Sequence, residues 1–454
     1  MTSATFEPVL GDLDFIAGEP RAKSIDAVAV LSFYLFLLMV LPADLVFPPV
    51  GAAGGPATLF ALLVFLIYLG MWLRQVEHLD RGRQPMRLIA VLFTCVIVAS
   101  YASANRHSLP VLEQNAADRG LMFTFGWLGV LLLAADGIDS AQRLRTLFRR
   151  LVLGATIMAI VGAIQFGAGK NLADYIQIPG LSALPQFTDL LTRGAFIRPY
   201  STASHPIEFG AVLVMSLPLA LHQARFAAQG KRIWRWMQVA IILSVTPMTV
   251  SRSAILALAV AGLVLLPTWT RRERRLAYGL VAVAIAAIWL IVPGLVSTLG
   301  DLFVKISSDP STASRTKAIG SAWSYVVQNP WLGRGFGTFQ PATYFFVDDQ
   351  YISSIIATGI IGLVALVMIF VAGWVTARAA RRLLVSAESR DLAQCLAASV
   401  AVAAVSFTSY DALSFPMASG LTFLLLGCCG AYWRMARHGP GNSPISAARL
   451  PAHL

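Results

Sequence analysis

YISSIIATGIIGLVALVMIFVAG, residues 351–373, runs for 23 positions without a charged side chain. A helix of that length crosses the hydrocarbon core of a bilayer, which is about 30 Å thick. Eleven further apolar windows predict spans at 26–47, 55–73, 87–103, 119–135, 150–168, 206–222, 234–249, 253–269, 277–294, 392–410 and 415–433. Because a backbone amide in hydrocarbon needs a partner within the protein, these runs predict an all-α, polytopic integral membrane protein with about twelve transmembrane helices.

The composition also indicates a membrane protein, since 57% of the 454 residues are hydrophobic and only 13% are charged. The net charge of +12 comes mostly from short arginine-rich loops, so we expect no nucleic-acid partner. Four cysteines fall inside apolar runs and are interpreted as buried packing residues: Cys95, Cys395, Cys428 and Cys429. No P-loop, dinucleotide-binding glycine motif or metal-ligand cluster is present, and we therefore expect neither a cofactor nor a metal.

The distribution of basic residues predicts an orientation. With twelve spans that start inside, 25 of the 35 lysines and arginines fall in segments assigned to the cytoplasm, as the positive-inside rule requires. The predicted organisation is a cytoplasmic segment 1–25, a single membrane domain 26–433 and a cytoplasmic tail 434–454. Two segments on the opposite face, 169–205 and 295–350, are too long to be simple turns, so function is expected there.

The second of these loops contains TASRTKAIGSAWSYVVQNP, residues 312–330. Ile319, Trp323 and Val327 recur one helical turn apart before Pro330 ends the pattern. We predict a short amphipathic helix that lies on the outer membrane surface.

Ionisable side chains near the outer ends of the spans form the candidate site, because a charge near hydrocarbon must be paired, hydrated or used. They are Arg193, Arg198, His205 and Glu208 around the start of the sixth span, Arg252 between the seventh and eighth, Arg315 and Arg334 in the second long loop, and Asp348 and Asp349 at the tenth. Planar guanidinium groups suit phosphate. The alternatives are an arginine that reaches lipid headgroups or pairs with a carboxylate, an aspartate that caps a helix, and a loop histidine that only hydrogen-bonds.

Four stretches resemble a known family. RTKAIGSAWSYVVQNPWLGRGFGTF at 315–339 and VDDQYISSIIATGIIGLVAL at 347–366 are similar to the signature region of the O-antigen ligase and polymerase superfamily of bacterial envelope glycosyltransferases. RPYSTASHPIEFGAVLVMSLPLAL at 198–221 and TVSRSAILALAVAGLVLL at 249–266 resemble the two elements that precede it, in order and spacing. The resemblance covers about residues 190–375.

The resemblance implies a GT-C-like membrane glycosyltransferase in the cytoplasmic (inner) membrane of a bacterium. Members join glycans carried on a polyprenyl (undecaprenyl) diphosphate on the extracytoplasmic face, without nucleotide sugars or an obligatory metal, during assembly of surface polysaccharide such as O-antigen. Its implied partners are the lipid-linked glycan donor, a glycan or lipid acceptor, membrane lipids and other polysaccharide-assembly proteins.

The same resemblance implies roles for individual residues. Ligases of the family show His-Asn, nine residues, then Gly-x-x-Gly, whereas this chain has Asp348-Asp349, nine residues, then Gly359 and Gly362. This departure favours a polymerase over a ligase. In an inverting displacement, Arg198, Arg252 and Arg315 would hold the diphosphate, and Asp348, or else His205, would orient or deprotonate the acceptor. Arg193, Arg334, Asp349 and Glu208 are accessory candidates.

A twelve-span secondary transporter is the alternative from another class. DRGR at 80–83 resembles a loop motif of one transporter superfamily, although its spacing differs. Such transporters show two similar six-span halves, whereas the extra mass in this chain follows the ninth span.

Overall fold

Helices make up nearly all the regular structure of the computed structural model, which describes residues 26–438 except 75–78, 80–81, 185–189 and 305–319. They are α1 (Ala27–Met39), α2 (Pro56–Leu73), α3 (Pro85–Ala104), α4 (Val111–Gly137), α5 (Ala141–Ala168), α6 (Pro206–Arg225), α7 (Gln229–Val245), α8 (Arg252–Leu265), α9 (Arg271–Ile291), α10 (Leu295–Val304), α11 (320–328), α12 (Gln350–Leu383), α13 (Ala387–Ser406) and α14 (Pro416–Arg437). The predictions for Arg315, for segment 1–25 and for most of the tail fall outside the described residues.

Eight of the described helices are long and apolar enough to cross a membrane: α2, α3, α4, α5, α6, α9, α12 and α14. The all-α, multi-pass architecture is therefore confirmed. The other four predicted spans fall on α1, α7, α8 and α13, and three of these helices are shorter than 18 residues. The count of twelve stays a prediction.

The first predicted span, 26–47, is wrong at its C-terminal end. Helix α1 ends at Met39, and the chain then forms β1 (Leu45–Val46). Pro42 and Pro48 flank this strand, and each lacks the backbone N–H that a continuing helix would need.

Burial separates a central group of helices from a peripheral one. The apolar windows of α14 and α6 are 89% and 83% buried, whereas that of α9 is 0% buried. Helix α9 exposes Trp289, Leu290 and Ile291 at 64%, 69% and 77%. An apolar surface of this extent is expected to face lipid. Cys95 also lies on the exposed surface, contrary to its predicted burial, whereas the other three cysteines are buried as predicted.

The two membrane ends of the helices differ. We call the end where α5 stops and α6, α8, α12 and α14 start the long-loop end, and the opposite end the arginine-rich end. At the long-loop end β1 pairs antiparallel with β2 (Ser182–Ala183), and β3 (Thr192–Arg193) pairs antiparallel with β4 (Phe196–Ile197). The first long loop is therefore anchored both to the segment after α1 and to itself.

Helix α12 is broken near its N-terminus, although the sequence predicts an uninterrupted span. Gly359 has φ +68° and ψ −169°, a conformation essentially restricted to glycine. The segment 330–335 fills the break: the N–H groups of Arg334 and Gly335 donate to the carbonyls of Ile356 and Ala357, both at 2.9 Å. The carbonyl of Pro330 accepts from the N–H of Ile360 at 2.8 Å. The second long loop is thus joined to α12 by backbone hydrogen bonds.

Helix α11 falls where the amphipathic pattern predicts a helix, although residues 318 and 319 of that pattern lie outside the described chain. Ala322 and Val326 are only 3% and 5% exposed, and they pack with Val347 and Ile356. Trp323 and Val327 are 66% and 62% exposed on the other face. Contact of this outer face with the membrane surface stays a prediction.

Candidate active site

The loop between β4 and α6 is held by one buried side chain. Gln165, near the end of α5, accepts hydrogen bonds from the N–H groups of Tyr200 at 3.2 Å and Ser201 at 2.6 Å. Its Nε2 donates to the carbonyl of Ser201 at 3.0 Å. Ser201 has φ +58°, unusual for a residue with a side chain. This loop therefore keeps a strained conformation that Gln165 stabilises.

Arg193 and Arg198 converge on the turn between α7 and α8. The Nε of Arg198 donates to the carbonyl of Thr249 at 3.0 Å, and Nη1 of Arg193 donates to that of Val250 at 3.4 Å. Val250 is fully buried and has φ +46°, also rare for a β-branched residue. Backbone strain of this kind concentrates at functional sites, and here it occurs in both segments that carry the predicted arginines.

Arg252 belongs to the same turn. Ser251 precedes α8 and Arg252 is its first residue, only two positions after the carbonyl that Arg193 contacts. Helix α6 packs closely against this turn, because a Cβ on Gly210 would lie 3.0 Å from Ala254 and 3.2 Å from Thr249. The backbone of Arg252 and the guanidinium groups of Arg193 and Arg198 thus all lie at the turn formed by Thr249 and Val250. We call these three residues the arginine cluster.

Arg198 is the least solvated member of the arginine cluster, with 9% exposure. Burial and the neighbouring charge of Arg193 lower the pKa of Arg198 to about 10. Its Nη2 is buried without a hydrogen-bond partner, and among the described residues no carboxylate pairs with it. A cation that remains protonated at neutral pH, has an unused donor and lies beside a second cation is suited to bind an anion.

His205 lies directly before α6 and caps it. Its Nδ1 accepts a hydrogen bond from the N–H of Ile207 at 3.1 Å. Burial, followed by the charge of Arg198, lowers the pKa of His205 to about 4. The imidazole is therefore neutral at pH 7, and its proton resides on Nε2 because Nδ1 is an acceptor. His205 accordingly presents a hydrogen-bond donor.

We expect His205 to make stability depend on pH. Since its pKa is lowered in the folded state, the unfolded chain binds the extra proton between pH 6.5 and 4, and stability falls as the pH drops through this window. His205→Asn keeps a good helix cap and removes the titration. Between pH 6.5 and 4 the melting temperature of the purified variant should fall by a few degrees less than that of the wild-type protein. His107→Asn, at an exposed position, is the control and should behave like wild type.

Glu208 fixes the position of the loop rather than facing an open site. It is fully buried, and its Oε1 accepts from the N–H groups of Met417 at 2.8 Å and Ala418 at 3.0 Å, at the start of α14. Its Oε2 accepts from the N–H and the hydroxyl of Ser204 at 2.9 Å and 2.7 Å. The carboxylate of Glu208 therefore joins the loop between β4 and α6, which carries Arg198, to the first turn of α14.

Glu208→Ala should destabilise the protein by about 3 kcal/mol or more, because it leaves buried donors of α14 and Ser204 without acceptors. Glu208→Gln, which keeps one acceptor for α14, should lose about 1 kcal/mol. Thermal unfolding in detergent measures both variants. Equal melting temperatures for the two variants would contradict this role of the carboxylate.

The predicted acidic pair separates into two roles. Asp349 caps α12, because its Oδ1 accepts from the N–H groups of Tyr351 at 2.8 Å and Ile352 at 3.1 Å. Asp348 lies instead within electrostatic range of Asp411, in the turn between α13 and α14. Burial, and to a smaller extent the charge of Asp348, raise the pKa of the Asp411 carboxyl. Asp411 is thus a second carboxyl group near Asp348, and sequence reasoning missed it.

Three rings in contact connect the start of α6, directly after the loop that carries Arg198, to the turn that contains Asp411. The ring of Phe415 lies 6.1 Å from His205 and 5.2 Å from Tyr410, which precedes Asp411. The signal for Asp411 was present in the sequence, because it is an ionisable residue in a very short turn between two apolar runs. The same criterion selects Arg252.

Arg334 is already paired. Its Nη2 lies 3.1 Å from both carboxylate oxygens of Glu113, which is 1% exposed, and its guanidinium stacks 4.8 Å from the ring centre of Tyr344. Tyr344 donates to the same carboxylate at 2.5 Å. This ion pair joins the second long loop to α4, so the structure favours an anchoring role for Arg334 over anion binding.

Comparison with known families adds an independent observation. A family model described as O-antigen ligase matches residues 237–367. The resemblance to the O-antigen ligase and polymerase superfamily is confirmed. The matched segment runs from within α7 into α12, and it contains Arg252, Arg334, Asp348 and Asp349. Arg193, Arg198 and His205 precede it. A search among curated proteins finds no match.

Proposed function

We propose that this chain is a membrane glycosyltransferase that polymerises oligosaccharides carried on a polyprenyl diphosphate, in the assembly of a surface polysaccharide. The family match supports a role in O-antigen-type assembly. The observation that carries the more specific proposal is the buried Arg198, with its unpartnered Nη2 beside a second arginine. A diphosphate supplies the negative charge and the acceptor oxygen that Nη2 of Arg198 lacks among the described residues.

In the proposed reaction, an acceptor hydroxyl attacks the anomeric carbon of the donor sugar from the face opposite the diphosphate. A new carbon–oxygen bond forms as the bond to the diphosphate oxygen breaks, and the diphosphate leaves with the bonding electrons. Arg198, Arg193 and Arg252 stabilise the developing charge, and Nε2 of His205 donates a hydrogen bond at the same side. The carboxylate of Asp348 accepts the hydroxyl proton. The configuration at the anomeric carbon is inverted.

The arrangement of the two groups supports this assignment of roles. The leaving group and the acceptor hydroxyl must lie on opposite sides of the reacting sugar. The rings of His205, Phe415 and Tyr410 form a series of contacts from the loop that carries Arg198 to the turn that carries Asp411, which lies near Asp348. The site is proposed to face the extracytoplasmic side, as the distribution of arginines predicts.

Mass analysis of polyprenyl-linked glycans in a deletion strain tests the proposal. Loss of a polymerase should cause single repeat units on the lipid to accumulate, exposed on the outer face, and polymer to disappear. A ligase, which the family description also accommodates, would leave finished polymer on the lipid. Accumulation of single units on the cytoplasmic face would identify a transporter, and an unchanged lipid-linked pool would contradict all three functions.

A further inference from the structure

A second polar site lies at the arginine-rich end, far along the helices from the arginine cluster. A cavity of about 260 Å³ opens between α5, α6, α7 and α13. The charged side chains that line it include Arg145, Arg149, Lys231, Arg235 and Glu388. We call it the basic cavity.

The basic cavity carries excess positive charge. Its one carboxylate among the lining residues, Glu388, forms an ion pair of 3.2 Å with Arg145. Arg149 and Lys231 form no ion pair with a described carboxylate, and Arg149 lies close enough to Arg235 for their charges to repel. Such a group of like charges is stabilised when an anion binds between them.

Asp391, which precedes the lining residue Leu392, is not available to neutralise this charge. Asp391 accepts from His222 at 2.8 Å and pairs with Arg225, so both of its oxygens are used. Arg225 also bonds to Glu273 at 2.7 Å and stacks over Trp269. His222, Asp391 and Cys395 lie close enough together to suggest a metal site, but the guanidinium on Asp391 opposes a second cation there.

Two residues that line the basic cavity have buried side-chain atoms without a hydrogen-bond partner in the described chain. The Nε of Arg145 is buried and unbonded, and so are both amide atoms of Gln223. The arginine and the amide nitrogen need acceptors, whereas the amide oxygen needs a donor. A phosphate group supplies acceptors for the arginine, and a hydroxyl-bearing substituent on that phosphate supplies a donor for the amide oxygen.

The surroundings of the basic cavity are those of a membrane surface. Helix α7 contributes Lys231 and Arg235 to the cavity and exposes Ile233, Trp234 and Met237 at 77%, 47% and 48%. Tryptophan and basic residues beside exposed aliphatic side chains are typical of the interface between headgroups and acyl chains. We propose that the basic cavity binds the headgroup of an anionic phospholipid, whose acyl chains pack along α7.

Native mass spectrometry of the full-length protein, released from nanodiscs of phosphatidylglycerol and phosphatidylcholine, tests this proposal. Wild type should retain one phosphatidylglycerol. A variant with Arg149→Gln, Lys231→Gln and Arg235→Gln should lose at least about tenfold in occupancy. The matched control is Arg271→Gln, Arg272→Gln and Arg275→Gln, which removes the same charge from the same end outside the cavity. It should bind like wild type, and equal occupancy in the two triple variants would overturn the proposal.

Lys231→Gln alone provides a test that does not depend on the folding of the triple variant, because this side chain is exposed. Its occupancy should fall roughly fivefold. Unchanged occupancy would count against the site. In a separate arm, inorganic phosphate at millimolar concentration should not protect wild type against thermal unfolding, whereas phosphatidylglycerol should. If phosphate protected the protein as well as phosphatidylglycerol does, the cavity would be a site for a free anion, and the proposal of a lipid site would be overturned.

Discussion

Arg198→Ala should lower glycan transfer at least about 100-fold, which is the effect of removing one preorganised donor from a site of developing negative charge. The physical reason is specific to this side chain. Its guanidinium is buried, retains an unused Nη2 and has no carboxylate partner among the described residues. The expected readout is loss of polymer from a reconstituted reaction with a polyprenyl-diphosphate-linked donor, with normal amounts of the variant in the membrane.

Stability measurements distinguish a functional arginine from a structural one. A buried cation beside Arg193 is unfavourable before an anion binds, so Arg198→Ala should unfold no earlier than wild type even though it loses the bond to Thr249. Arg198→Lys keeps the charge but not the planar fork, and it should be intermediate in activity. Arg106→Ala, at an exposed position in another loop, is the control. Activity of Arg198→Ala within threefold of wild type would exclude its role at the diphosphate.

The membrane fold could be predicted from hydropathy because lipid imposes a simple length requirement on apolar helices. Hydropathy is less informative about helix ends where protein contacts replace lipid contacts. The fourth span was predicted from residue 119, yet α4 begins at Val111 and its first turns carry Glu113 and Asp118. Those carboxylates accept hydrogen bonds from Tyr344 at 2.5 Å and Tyr101 at 2.6 Å. Hydropathy reports where a helix meets lipid, and it does not report where a helix ends.

The candidate site could be predicted only in part, because its charged groups are visible in the sequence whereas the groups that position them are not. Arg198, Arg252 and Asp348 were selected as ionisable residues at the ends of apolar runs. Gln165 lies inside an apolar helix far from these residues in the sequence. Its three hydrogen bonds to the loop of the arginine cluster depend on tertiary contacts that no local pattern encodes.

The break in α12 connects these observations. Gly359 interrupts the helix, and the carbonyls freed at residues 356 and 357 accept from the second long loop. Ser100 on α3 strengthens the junction, since its hydroxyl lies 2.7 Å from the carbonyl of Leu332 and 2.9 Å from that of Ala357. The first half of α12 begins with the cap Asp349 and directly follows Asp348. The position of the proposed base therefore depends on the break.

Gly359→Ala should accordingly destabilise the protein by about 3 kcal/mol or more. The φ angle of +68° is unfavourable for alanine, and the added Cβ would overlap the carbonyl oxygen of Trp331, so the loop must separate from the helix. Gly279→Ala in α9 is the matched control, because no atom lies within 4 Å of the added carbon and alanine favours a helix. Thermal unfolding in detergent and the amount of protein in the membrane report the effect. A melting temperature equal to that of the control would show that the break does not hold the second long loop in place.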